Sequence, residues 1–167
     1  MRNAAHVVTS AAVLTAMSAI LLAPPAWADN RRLNNSVAAN VYTIQKQAGC
    51  SDGAMINPQL QLAAQWHAVD VLNNRALDGD IGSDGSSVAE RARNAGYAGV
   101  VAETVAINPA LAISGIEILN RWYYDPVAKA IMSDCANTQI GVWSENSLDR
   151  TVVVAVYGRP APAGGSE

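Results

Sequence analysis

The chain has 167 residues, 15% of them charged, with a formal charge of −3, two cysteines, two histidines and no phenylalanine, a balance that suits one globular domain. So few cations in an acidic chain exclude the electrostatic footprint that nucleic-acid binding needs. The spacing of the two His and two Cys matches no zinc-finger pattern, which excludes a structural zinc site of that kind.

Residues 1–28 combine a basic start at Arg2, an apolar run over 7–22, and Pro24-Pro25 before the small-x-small triplet Ala26-Trp27-Ala28. This is the pattern of a secretory signal peptide cut after Ala28. As a membrane anchor the run falls short of the roughly 20 apolar residues a bilayer needs and is interrupted by Thr9, Ser10, Thr15 and Ser18. Cleavage removes Arg2 and His6, makes the chain more negative by one charge, and leaves His67 as its sole histidine. Export also puts Cys50 and Cys135 in an oxidising compartment, where they are expected to pair.

Leu33, Val37, Val41 and Ile44 recur at helical spacing, predicting a helix over 33–47. Asn57-Pro58 supplies a cap and a first-turn proline for a second helix over 58–74, with Leu60, Ala63, Ala64, His67 and Val71 on one face. Residues 78–85 contain three glycines and no apolar period, so they are expected to form a loop. Ser87 and Glu90 make the capping box of a short helix closed by Gly96. The Val-, Ile- and Thr-rich run 100–107 predicts a strand buried on both faces. Asn108-Pro109 repeats the cap signal before a helix through Leu111, Ile113, Ile116, Leu119 and Trp122, stopped at Asp125-Pro126 because a residue preceding proline is pushed out of the α region. Runs 139–144 and 151–157, joined by 145–150, fit an antiparallel hairpin, and 159–167 a frayed tail. This order predicts an α+β layered domain.

Five runs in sequence, QLAAQWHAVDVLNNRAL, IGSDGSSVAERARNAGY, AETVAI, RWYYDP and CANTQIGVW, resemble in order and spacing the bacterial branch of the CAP superfamily, the cysteine-rich secretory, antigen 5 and pathogenesis-related proteins, also called SCP-like. The resemblance implies a three-layer α-β-α sandwich over 29–158, secreted or associated with the cell envelope and monomeric as a rule. Family members usually carry a cleft with two histidines and two acids that can hold a divalent cation. By resemblance, the first histidine position falls at Asp80, the strand acid at Glu103, the second acid at Asp125 and the second histidine at Ala128. Both imidazoles are missing, so the cleft is expected to be degenerate, without a zinc site or a cofactor. Three carboxylates alone would suit calcium or magnesium at most, and if they converged, mutual repulsion would raise at least one pKa.

Each candidate also has a plain structural reading. Asp80 suits a solvated loop, Glu103 a hydrogen-bonded core or cleft residue, and Asp125 a cap before Pro126. His67, on the inward face of its helix, reads more readily as a hydrogen-bonded core residue than as a general base. Asp78, Asp80 and Asp84 fail the calcium-loop pattern, which has Gly82 where a ligand belongs. Ser83, Ser86 and Ser87 lie in no nucleophile elbow. Trp122, Tyr123, Tyr124 and Trp143 are expected in core or edge packing more than along a ligand groove. The functional expectation is a non-enzymatic secreted domain that acts by binding an envelope component, a small molecule, a lipid or a protein partner. The alternatives are a weak hydrolase using Glu103 with Asp80 or Asp125, and a lipid or sterol carrier with a groove beside the apolar helix over 111–119.

Overall fold

The computed structural model describes residues 26–109 and 113–162, with side chains from Asn30 onward. Most of the expected signal peptide, residues 1–25, lies outside the described residues. Helix α1 (Ala26–Gln47) starts earlier than its apolar period suggested, and α2 (Pro58–Asn73) is capped by Asn57, whose side chain accepts from the backbone N–H groups of Gln59 and Leu60. A two-residue strand β1 (Met55–Ile56) between them is too short to leave a sequence pattern. Helix α3 (Val88–Asn94) carries the Ser87–Glu90 capping box, and Gly96 takes φ 87° just past its end, where a side chain would be strained. Strand β2 (Gly99–Asn108) follows, then α4 (Gly115–Tyr124), α5 (Pro126–Ser133), β3 (Gln139–Ser147) and β4 (Arg150–Pro160).

The four strands lie in the order β1-β3-β4-β2. Strands β3 and β4 form the expected hairpin, but its loop shrinks to Leu148-Asp149, with Ser147 opposite Arg150. Strand β4 continues to Pro160, two residues into the expected tail. On β4, Val152, Val154 and Val156 face a core shared with Leu60, Ala64 and Val71 of α2 and Ala92 of α3. Val153, Ala155 and Tyr157 point the other way, into a core with α1, α4 and α5. The period-two alternation therefore fills two cores from one strand, and the architecture is the α-β-α sandwich. A Cβ at Gly141 of β3 would overlap the α2 backbone at Leu60 and Gln61, so this glycine lets α2 seat directly on the sheet. The Cys50–Cys135 disulfide ties the segment after α1 to the segment after α5.

Three expectations are corrected. Strand β2 is not buried on both faces: it is a sheet edge, and Val100 is 62% exposed. The strand buried on both faces is β4, which lies inside the sheet with a helix-backed core against each face. Asn108 ends β2, and among the described residues the following helix, α4, is capped by Ser114, in a second capping box with Glu117; Leu111 of the expected helix lies outside the described residues. Pro126 does not only end a helix: it opens α5 at its first turn, where its missing N–H costs nothing.

Candidate functional site

A cleft of about 680 Å³ runs along the outer edge of β2, between the 78–80 segment on the α2/α3 side and the α4–α5 corner on the other. Asp80, Glu103, Asp125 and Ala128 all line it. Their roles differ. The Asp125 carboxylate is spent on the backbone N–H of Ala128 at 2.8 Å, capping α5. Ala128 itself brings no polar side-chain atom. The side chain of Asp80 makes no hydrogen bond among the described residues, while its carbonyl accepts from Arg91.

Glu103 is the most constrained of the four. Alternation along β2 puts it on the same face as Val101, Val105 and Ile107, towards α2 and α3. There its Oε1 accepts from Arg91 Nη2 at 3.0 Å and lies 3.5 Å from His67 Nε2, all three side chains being almost fully buried. Burial pushes the Glu103 carboxyl up to about 8, against the pull of Arg91 and with a further push from Asp80. Desolvation by burial is thus the first cause, and carboxylate repulsion is secondary.

Arg91 and His67 also hold the cleft's wall. Arg91 donates through Nη1 to the Ser86 carbonyl at 2.7 Å and through Nη2 to the Asp80 carbonyl at 2.7 Å. His67 Nε2 lies 2.9 Å from the Gly79 carbonyl. A carbonyl only accepts, so the imidazole carries a proton on Nε2. Burial lowers the pKa of His67, which keeps the ring neutral, and its fully buried Nδ1 has no hydrogen-bond partner among the described residues. Asp70 of α2 holds the same segment from outside, accepting from the backbone N–H and hydroxyl of Ser83.

Sequence reasoning missed Arg91 as part of this network. The signal was present: Val88, Ala92 and Ala95 form the apolar stripe of α3, and Arg91 sits three residues from Val88, beside that stripe. An arginine there and a glutamate inside an apolar strand each need a buried partner. The aromatic expectation is corrected in part. Trp122 is buried and donates to the Val105 carbonyl at 3.2 Å, whereas Tyr123 is 40% and Tyr124 82% exposed.

The divalent cation that the CAP resemblance implies is a poor fit to these residues. One histidine position is an alanine, one acid is a helix cap, and among the described residues no three His, Cys, Asp or Glu side chains come together as a metal-binding group.

No family model matches the chain, and no curated protein does. Solved structures do. An outer surface protein of Borrelia burgdorferi superposes with a TM-score of 0.67 at 16% identity, over 76% of this chain and 92% of that one. An extracellular protein containing an SCP domain from Bacillus anthracis gives 0.68 at 12% identity, over 78% of this chain and 41% of that one. A cysteine-rich secretory protein from Staphylococcus aureus gives 0.60 at 11% identity, over 78% and 39%. The present chain thus spans about two-fifths of the latter two proteins. The fold is that of the CAP, or SCP-like, domain.

Proposed function

We propose that this is a secreted CAP-type domain that works by holding a ligand in the β2-edge cleft and not by catalysis. The supporting observation is what became of the four cleft positions: Asp125 is committed to a helix cap, Ala128 is inert, and Glu103 is locked between Arg91 and His67. Only Asp80 keeps a free carboxylate among them. A hydrolase would need an activated nucleophile or a metal-bound water, and the lining residues supply neither a Ser–base pair nor a metal-ligand set. Export rests on the leader pattern of residues 1–28 and on the extracellular descriptions of the Bacillus and Staphylococcus proteins. No described helix is long and apolar enough to cross a membrane.

The test is a thermal-shift titration of the protein with zinc and with calcium, beside a turnover assay on generic peptides and esters. An unchanged midpoint and no turnover are expected. A saturable zinc-dependent rise, or turnover that Glu103→Ala abolishes, overturns the reading.

A lipid-carrier reading has one observation in its favour. A second groove of about 330 Å³ lies between α1 and α4, lined by Ile44, Ile116, Leu119, Tyr123 and Tyr124 among others. Mass spectrometry of small molecules extracted from the native protein decides it: consistent absence of lipid removes this reading.

A further inference from the structure

The free edge of β2 inside the cleft is more than a wall. The two-residue hairpin loop fixes the ladder parity: Ser147 and Arg150 close it, so even-numbered residues of β4 turn their backbone groups to β3 and odd-numbered ones to β2. The β2 partners of the odd residues are even-numbered, Ala102 opposite Tyr157 and Thr104 opposite Ala155. The odd residues of β2 therefore direct N–H and C=O away from the sheet. Two side-chain contacts agree, since the Val105 carbonyl accepts from Trp122 and the Ile107 carbonyl from Arg121. The outward groups of Val101 and Glu103 have no partner among the described residues. Glu103 as a residue is half-buried while its side chain is 1% exposed, so what solvent meets there is main chain.

Resting on the ligand-holding reading of this cleft, we infer that it takes an extended peptide as a further strand, paired to the main chain of Val101 and Glu103, with basic side chains towards Asp78 and Asp80. Unpaired edge groups are a ready template for strand addition. Successive side chains of an added strand point to opposite faces. One set meets the 78–80 segment, where Asp78 and Asp80 line the cleft and neither carboxylate is engaged by a described residue. The other set meets Trp122, Val127, Ala128 and Ile131 at the α4–α5 corner. The occupant that fits alternates basic and apolar residues. Ala128, with only a methyl side chain, leaves room on the apolar side.

Fluorescence polarisation with a labelled (Lys-Val)4 peptide tests this. Saturable binding is expected, with a loss of roughly tenfold or more in affinity for the fully N-methylated peptide, which cannot pair at a sheet edge, and for (Glu-Val)4. Val101→Pro removes the outward N–H without touching the β4 ladder, and Asp80→Asn removes the charge; each is expected to weaken (Lys-Val)4 by a similar factor. Absence of binding overturns strand addition, as does equal binding of the methylated peptide or indifference to both substitutions. None of these outcomes touches the non-catalytic ligand-holding reading, which falls instead to the zinc and turnover tests.

Discussion

Strands β4 and β2 lie side by side, paired along all ten residues of β2, and they use similar β-forming sequences in opposite ways. From Thr151 to Tyr157, TVVVAVY is buried throughout, alternating between two apolar cores and spending both backbone edges on neighbouring strands. VVAETVAI in β2 has one neighbour, keeps Val100 in solvent, and carries Glu103 into a buried polar network. Both runs are rich in β-branched residues, so propensity does not separate them. Position in the sheet does: the candidate site grows on the strand whose outer edge the ladder leaves unspent.

The sharpest way to break this contrast is a proline in each strand. Val154 is fully buried, and by parity its N–H belongs to the β3 ladder. Val154→Pro removes that bond and drives a ring into a packed position, with an expected loss of more than about 3 kcal/mol. That is a large part of the stability of a domain this size. Urea unfolding followed by circular dichroism measures it; a midpoint like the parent's would contradict the central place of β4.

The next largest effect is expected in the buried pair behind β2. Arg91→Met leaves the Asp80 and Ser86 carbonyls and Glu103 Oε1 without their guanidinium donor, and with Glu103 protonated near neutral pH the expected loss is that of buried acceptors left unsatisfied, about 1–3 kcal/mol. This cost depends on pH. The folded-state pKa of Glu103, about 8, lies above its ordinary 4.5, so between those values the folded chain binds more protons than the unfolded one. Its contribution to stability is present below about 4.5 and is lost as pH rises through about 8. His67 is shifted downwards from 6.5, so its contribution runs the other way and is lost as pH falls below that value. The window from about 7 to 8.5 therefore isolates Glu103. Stability is expected to fall with pH there in the parent, more steeply in Arg91→Met, and hardly at all in Glu103→Gln. Chemical denaturation at several pH values gives the three slopes, and a parent slope equal to that of Glu103→Gln would mean that Glu103 ionises as an exposed acid does.

How legible this was in the sequence follows from the range of each signal. Helix periods, the Asn57-Pro58 cap, the Ser87–Glu90 box and the hairpin runs are local, and the fold carries them as read. The Ser114–Glu117 box has the same S-x-x-E form and was eclipsed by the nearer Asn108-Pro109, whose asparagine turned out to end a strand. Pro126 has two local meanings, stop and start, and only the α5 packing of Ala128 and Met132 selects the second. The four cleft positions could be named from the resemblance. What each does could not, because the chemistry of Glu103 depends on Arg91 and His67, 12 and 36 positions away in the chain and joined to it only by the packing of α2 and α3 on the sheet.

The smallest expected effect is the most discriminating for β2. Val101→Pro places the ring where the N–H points into the cleft, so no ladder bond is lost, and Val100 before it is already extended, as a residue preceding proline must be. The lost apolar contact is partial, since Val101 is only half-buried against the α2/α3 core. A loss of about 1 kcal/mol or less is expected, against the several expected at Val154. Equal costs at the two sites would mean that the outer edge of β2 is already paired, and with that the template for an added strand would be gone. A near-neutral Val101→Pro that unfolds like the parent, beside a severely destabilised Val154→Pro, would make the same substitution a measure of which backbone edge the fold leaves open.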